Sequence, residues 1–371
     1  MKILHIVYNL IRGGTEGQCA RFALELARQG VEQRVAVFRR EGYFQAPVEA
    51  ACGPLHHVQI SHVVSLGTLC AVATLRRFIR SEGIDLVHAW DADAAIFGSW
   101  AARWAGVPYI TSRRDLGQIY AARKLWLMES ADRLAAAVVV NADAIRPGVV
   151  AAGVDATRVH RVANIVDLAE FDADSAKAFS GAARLGGPVC VGCVARLNRE
   201  KDVATFLRAG RKVRDRMPNV VFVVAGDGQE RVGLEALAAE LRMTDAVEFL
   251  GDVTDVPALL KHLAVGVLVP ARNEGLSNSI LEYMAAGLPV VATDCGGNRE
   301  LVEDGVTGWV VPCGDADRVA ESILRLLEEP SQAKRMGSAG RARVEQGFAP
   351  AVLARQMKEL YSAVLGRGAG G

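Results

Sequence analysis

Short apolar runs separated by amphipathic stretches set the rhythm of this chain. ILHIVYN (3–9) precedes a glycine turn and a helical pattern to Gly30. QRVAVF (33–38), DLVHAW (85–90), PYITS (108–112) and AAVVVN (136–141) follow, with helical stretches between several of them. Strands alternating with helices at this spacing predict a parallel, doubly wound sheet. Between 172 and 187 the periodicity lapses into DADSAKAFSGAARLGG, small residues bounded by Gly186, Gly187 and Pro188, which reads as a domain linker. The alternation resumes with PVCVGCVA (188–195), VVFVVAGDG (220–228), VEFLG (247–251), VGVLVPA (265–271), PVVATD (289–294) and GWVVP (308–312). Each run is short, apolar and bounded by Gly, Pro or Asp. The expected fold class is therefore α/β: two Rossmann-like, doubly wound domains, 1–175 and 188–348, facing a cleft at the carboxyl ends of their strands, where ligands of such folds bind. Beyond Asp315 the pattern is helical only, with breaks at Pro330 and near Pro350; 349–371 reads as a last helix ending in a flexible GRGAGG tail.

Charge narrows the class of partner. With 43 Lys and Arg against 42 Asp and Glu, a formal net charge of +1, the chain has no global field to hold nucleic acid, so any anion must be bound locally. No apolar run approaches the roughly 18–20 residues needed to span a bilayer. ILHIVYNLI after Met1 and Lys2 lacks a small-residue cleavage site and reads as a first strand. The seven cysteines are scattered, which suits reduced thiols in a cytoplasmic enzyme. Cys190 and Cys193 form a C-x-x-C, but three residues apart on a strand they point to opposite faces and hold no common metal. RKLWLMES (123–130) admits two readings: a helix at a lipid interface, which would make peripheral contact with the inner face of the membrane, or an apolar stripe packed in the core. The second is preferred.

The stretch ARNEGLSNSILEYMAAGLPVVATDCGG (271–297) carries the most chemistry. Glu274 lies in the turn after a strand and Glu282 in the second turn of a helix expected to begin near Ser277 and Asn278, so both carboxylates border that helix start. The backbone N–H groups at Leu276, Ser277 and Asn278 and the helix dipole make the start an anion site. Two carboxylates would repel a diphosphate between them, so they are expected to accept hydrogen bonds from hydroxyls: a ribose at Glu282 and a transferred sugar at Glu274. In ARLNREKD (195–202), Arg196 ends a strand and Lys201 opens a helix, where a cation opposes the dipole unless an anion compensates it. A guanidinium and an ammonium so placed suit a diphosphate. GDG at 226–228 lacks the third glycine of a dinucleotide fingerprint and reads as a turn beside a base.

Arg196 with Lys201, Gly226-Asp227-Gly228, FLG (249–251), the E-x7-E pair Glu274/Glu282 and AAGLPVVATDCGGNRELVEDGVTGWVVP (285–312) together resemble the retaining glycosyltransferases of family 4, which have the two-domain GT-B fold. In the first domain the likeness rests on IRGGTE (11–16), DLVHAW and GVPYITSRRD (106–115). The resemblance implies a hexose-type donor carried by a nucleoside diphosphate, UDP first and GDP next, held mainly by the second domain. It implies a glycan, glycolipid or small-molecule acceptor held mainly by the first, in surface polysaccharide or glycoconjugate synthesis. On that pattern Arg196 and Lys201 match the diphosphate ligands, Glu282 the ribose ligand and Glu274 the acid on the donor sugar. Gly275, Leu276 and Ser277 line the phosphate, Gly226 and Leu250 lie beside the base, and Gly13 and Gly14 form the glycine loop. The last helix would cross back to the first domain.

One departure stands out. Where many members carry a histidine two residues after the first of this strand, the sequence reads His88-Ala89-Trp90-Asp91. His88 shares the face of Trp90 and fits a core or support role. Asp91-Ala92-Asp93 has the D-x-D form of a metal site in a different, single-domain transferase fold, but it precedes a helix that Asp91 is suited to cap. No metal or other cofactor is expected, because Arg196, Lys201 and a helix terminus already compensate a diphosphate. Asp91 is instead expected to orient an acceptor hydroxyl as one of the catalytic group, with Arg113, Arg114 and Asp115 as further acceptor-side candidates. A nucleotide-sugar 2-epimerase of the same architecture and a non-catalytic nucleotide-sugar-binding protein are the alternatives.

Overall fold

A computed structural model describes residues 1–59, 66–185 and 189–368. Gly186–Pro188 and the last three residues of the tail lie outside the described residues. The chain forms two compact units, Met1–Ile165 together with Pro350–Gly371, and Val166–Ala349.

Unit 1 is built on seven parallel strands: β1 (Lys2–Val7), β2 (Glu32–Val37), β3 (His56–His57), β4 (Leu86–Ala89), β5 (Tyr109–Arg113), β6 (Ala137–Val140) and β7 (Val159–Arg161). Their spatial order is β3-β2-β1-β4-β5-β6-β7, so the order reverses between β1 and β4. Five of the apolar runs become these strands because a parallel sheet covered on both faces needs residues apolar on both sides. Ile3, Leu4, Ile6, Val87 and Ile110 are all fully buried. β3 and β7 are edge strands of two and three residues, too short to print a hydrophobic period.

Unit 2 carries six parallel strands: β8 (Val189–Val194), β9 (Val220–Ala225), β10 (Val247–Gly251), β11 (Val265–Leu268), β12 (Val290–Thr293) and β13 (Gly308–Val311). The order β10-β9-β8-β11-β12-β13 reverses between β8 and β11. Both sheets are thus doubly wound, and each opens a crevice at the carboxyl ends of its central strands. Cys190 and Cys193 are buried thiols of β8, and burial pushes the Cys193 thiol up to about 12.

Two sequence expectations are corrected here. The start of the stretch that reads as a linker is ordered: Leu168–Ser175 is a helix, Asp172 takes a two-pronged ion pair from Arg341 at 2.8 and 2.7 Å, and the two compact units divide at Ile165 and Val166. Alanine and aspartate hid an ordered helix that Asp167 caps at the amide of Glu170. The final helix, Pro350–Gly368, also runs into the glycine-rich tail that reads as unstructured.

Candidate active site

In unit 2 the site grows from the β8/β11 reversal. Beyond β8 the chain passes Arg196 and makes a single 3-10 turn, Arg199–Lys201, before the Val203–Arg216 helix; the Asn198 side chain accepts from the Lys201 amide at 3.3 Å. Lys201 therefore precedes the helix rather than opening it. Nor is its charge uncompensated: its Nζ donates to Glu274 Oε2 at 2.6 Å, with the two side chains 23% and 11% exposed. The anion inferred from a bare cation is thus partly supplied by the protein. Arg196 is exposed and enters no ion pair among the described residues.

Glu274 is held by its neighbours' backbone. Asn273 adopts φ +58°, and Gly296 lies so close that a Cβ on it would sit 1.8 Å from the Glu274 carbonyl oxygen, at φ +53°. Only glycine fits there. Gly297 adds an amide hydrogen bond to the Gly275 carbonyl at 3.1 Å. Buried Gly275 and Leu276 lead to Ser277, whose hydroxyl caps the Asn278–Ala285 helix at the Ile280 amide. That helix is tied to the sheet by Tyr283, whose hydroxyl accepts from the Val194 amide at 2.6 Å and donates to the Val267 carbonyl at 3.3 Å. Glu282 follows in the second turn, half-buried. Gly226, at the end of β9, donates to the Gly251 carbonyl at 2.8 Å and so sits beside half-buried Leu250. The carboxyl ends of β8, β9, β10 and β11 thus gather Arg196, Lys201, Gly226, Leu250 and Glu274, with Glu282 on the adjoining helix.

In unit 1 the corresponding reversal lies between β1 and β4. Gly13 caps the Gly14–Arg28 helix, with open space where a Cβ would stand, and Gly14 adopts φ +66°. Asp91 uses both carboxylate oxygens on backbone: Oδ1 accepts from the amides of Asp93 and Ala94 at 3.0 and 2.9 Å, and Oδ2 from the Tyr8 amide at 2.7 Å. Burial pushes its pKa up to about 7 against the pull of those amides. Asp91 is a helix cap that ties β1 to β4, while Asp93 pairs with Lys124 at 2.9 Å. Among the described residues no group of three or more His, Cys, Asp or Glu side chains is placed to hold a metal.

Beside Asp91 lies a buried polar chain that spacing alone does not reveal. His5 and His88 are register partners on β1 and β4, and Trp90 follows on the same face. The indole donates from Nε1 to His5 Nδ1 at 2.9 Å, while His5 Nε2 bonds Gln33 Oε1 at 2.6 Å. His88 stacks on the indole with centroids 4.4 Å apart and bonds Tyr361 Oη at 2.6 Å and Ser112 Oγ at 2.8 Å. Burial depresses both imidazoles, His5 to about 4 and His88 well below its usual value, so both are neutral. His88 is a support for Trp90, tied by Tyr361 to the last helix. The RKLWLMES helix divides its residues: Leu127 and Met128 pack against Ala92 and Ile96, whereas Trp126 is 61% exposed.

Comparison with known proteins decides the family. The model described as "Glycosyltransferase Family 4" matches residues 12–170, and that described as "Glycosyl transferases group 1" matches 174–343. Alpha-D-kanosaminyltransferase of Streptomyces kanamyceticus is 32% identical over 297 residues, 73% of this chain and 75% of that one. The chain belongs to glycosyltransferase family 4. It is an enzyme, a hexosyltransferase. Alpha-maltose-1-phosphate synthase of Mycobacterium tuberculosis is 29% identical over 331 residues, 81% of this glycosyltransferase and 84% of that protein. In fold, the transferase is similar to HepE of Anabaena, solved with UDP and glucose, at TM-score 0.86 and 24% identity over 98% of this chain and 100% of that one. Its fold is GT-B.

Proposed function

We propose that this glycosyltransferase moves a hexose-type sugar from a nucleoside diphosphate, UDP before GDP, to an acceptor hydroxyl with retention at the anomeric carbon and without a metal. The Lys201–Glu274 pair beside Arg196 carries the reading. An ammonium has three N–H groups, so Lys201 can keep Glu274 and still donate to a phosphate oxygen. Arg196, exposed, supplies a second cation for the departing diphosphate, and the Asn278–Ala285 helix points its positive end at the same loop. Glu274, fixed by Lys201 and the Gly296 contact, accepts from sugar hydroxyls, and Glu282 from the ribose. The departing diphosphate takes the acceptor proton, which leaves Trp90 no acid–base task. Retention follows the family pattern, as does the assignment of the acceptor, a glycan, glycolipid or small molecule, to unit 1. HepE, similar in fold, was solved with UDP and with UDP-glucose, which supports the choice of carrier.

No helix among the described residues is long and apolar enough to cross a membrane. For a glycolipid acceptor at the inner face of a membrane, exposed Trp126 is the point of contact. The deciding experiment is transfer from UDP- and GDP-sugars by wild type and by Arg196→Ala, Lys201→Ala and Glu282→Ala, with the anomeric configuration of the product read by NMR. Turnover should fall sharply in the first two and donor binding weaken in the third; wild-type-like transfer by all three removes the assignment.

A further inference from the structure

Two adjacent arginines at the carboxyl end of β5 each keep two buried nitrogens without a hydrogen-bond partner among the described residues, but they differ in the charge beside them. Arg113 is buried but faces Asp132, with Nη1 3.5 Å from a carboxylate oxygen that is itself buried. Arg114 enters no ion pair among the described residues. Its Cζ lies 4.7 Å from the Trp90 ring centroid, and its Nη1 donates to Asn164 Oδ1 at 2.7 Å. Among the described residues its Nε and Nη2, both buried, have no hydrogen-bond partner. Asn164 Oδ1 also accepts from Asn141 Nδ2 at 3.2 Å, and Asn141, 3% exposed at the end of β6, has its own Oδ1 without a partner among the described residues. The half-buried cation is thus clamped by an aromatic face and an amide, with two donors and a neighbouring acceptor unsatisfied. Leaving such groups unmade is costly, and an uncompensated buried charge more so. A cation held on an indole face without a carboxylate keeps its charge available to a ligand.

We propose that Arg114 and Asn141 form an oxyanion subsite in unit 1 for a substrate that carries a phosphate or carboxylate together with a hydroxyl, as a phosphorylated or acidic sugar does. Arg114 takes the anion and Asn141 Oδ1 the hydroxyl. That this substrate is the acceptor rests on the transferase reading above; the subsite itself does not.

The test uses the full chain with Arg196→Ala and Lys201→Ala in place, so that the other phosphate-binding cations are silent. Inorganic phosphate, and acetate in a parallel arm, are titrated while the unfolding temperature is recorded. Phosphate should raise it saturably, and adding Arg114→Gln should weaken the apparent affinity at least about tenfold, as expected for a charge-assisted hydrogen bond. Arg114→Lys should keep part of the response. Asn141→Asp, which sets a carboxylate beside the subsite without removing Arg114, should abolish it, and so decides the matter should Arg114→Gln fold poorly. A response to acetate as strong as to phosphate assigns a carboxylate; one to phosphate alone assigns a phosphate. No response to either anion, or one unchanged by both Arg114→Gln and Asn141→Asp, overturns the subsite. An Arg114-dependent response here, with no binding of UDP- or GDP-sugars by the wild-type protein, would leave the subsite standing and remove the proposed donor instead.

Discussion

Consider removing Lys201 and Glu274 separately and together. At 2.6 Å the gross attraction of the pair is about 6 kcal/mol at an effective dielectric of 20. Most of that is offset by desolvation. Exposed pairs retain about 0.2–1 kcal/mol, and breaking a buried one costs about 3–5 kcal/mol. With side chains 23% and 11% exposed, this pair falls between, and about 2 kcal/mol is expected for Lys201→Met, which strands a largely buried carboxylate. For a unit of this size that is a drop of about 4–8 °C in its unfolding temperature. Glu274→Gln, which leaves a better exposed ammonium, should cost less. The double variant should recover most of the loss, because neither charge is left alone, and the cycle should show a coupling of about 1–2 kcal/mol. On the proposed function transfer behaves differently: all three variants should lose it, since the diphosphate would lose its cation or the sugar its acceptor. Thermal unfolding and donor turnover, measured on the same four proteins, separate the two roles. Coupling below about 0.5 kcal/mol would place the pair among loose surface contacts. A double variant as active as wild type would show that the pair only braces the fold.

With Asp91→Asn in place, acid should unfold unit 1 ahead of unit 2; the wild-type Asp91 carboxyl, pushed up to about 7, gains stability as pH falls and masks the loss from the imidazoles. The folded pKa of His5, about 4, lies below the unfolded value of about 6.5, so its contribution is present above pH 6.5 and lost as pH falls toward 4, about 3 kcal/mol for His5 alone. His88 shifts in the same direction. Urea unfolding of the Asp91→Asn variant at pH 8 and pH 4.5, followed by probes in each unit, should show the unit 1 midpoint falling; equal losses in both units would refute the assignment. Gly296→Ala should force the Glu274 backbone aside, destabilising unit 2 by about 1–3 kcal/mol and weakening nucleotide-sugar binding, checked by melting and calorimetry. Unchanged donor affinity would show that this close approach does not shape the site.

Strand positions were readable because each core run must be apolar on both faces, and turn residues bracket each of them. The E-x7-E pair and the start of the Asn278–Ala285 helix were readable for a similar reason, since capping chemistry is local. Partnerships formed by the fold were not. Lys201 and Glu274 stand 73 positions apart and His88 and Tyr361 273 apart, and no spacing rule links such residues. Asn141 and Asn164 belong to no motif that singles them out, although Asn141 ends an apolar strand run at the carboxyl edge, where ligands gather. Arg114 was visible as a candidate charge. That it would be clamped on an indole, with no acid in ion-pair range among the described residues, depends on how β4, β5 and the 164 loop meet.

The last helix has a consequence for synthesis. Residues 350–368 belong with unit 1, yet they leave the ribosome only after all of unit 2 has been made. Until then the sheet of unit 1 lacks Tyr361, and the ring nitrogen of His88 that it bonds has no phenol to meet. Unit 2, contiguous from Val166 to Ala349, is free to fold first during translation. A nascent chain stalled with residue 349 just emerged would therefore hold a finished unit 2 and an open, protease-sensitive unit 1.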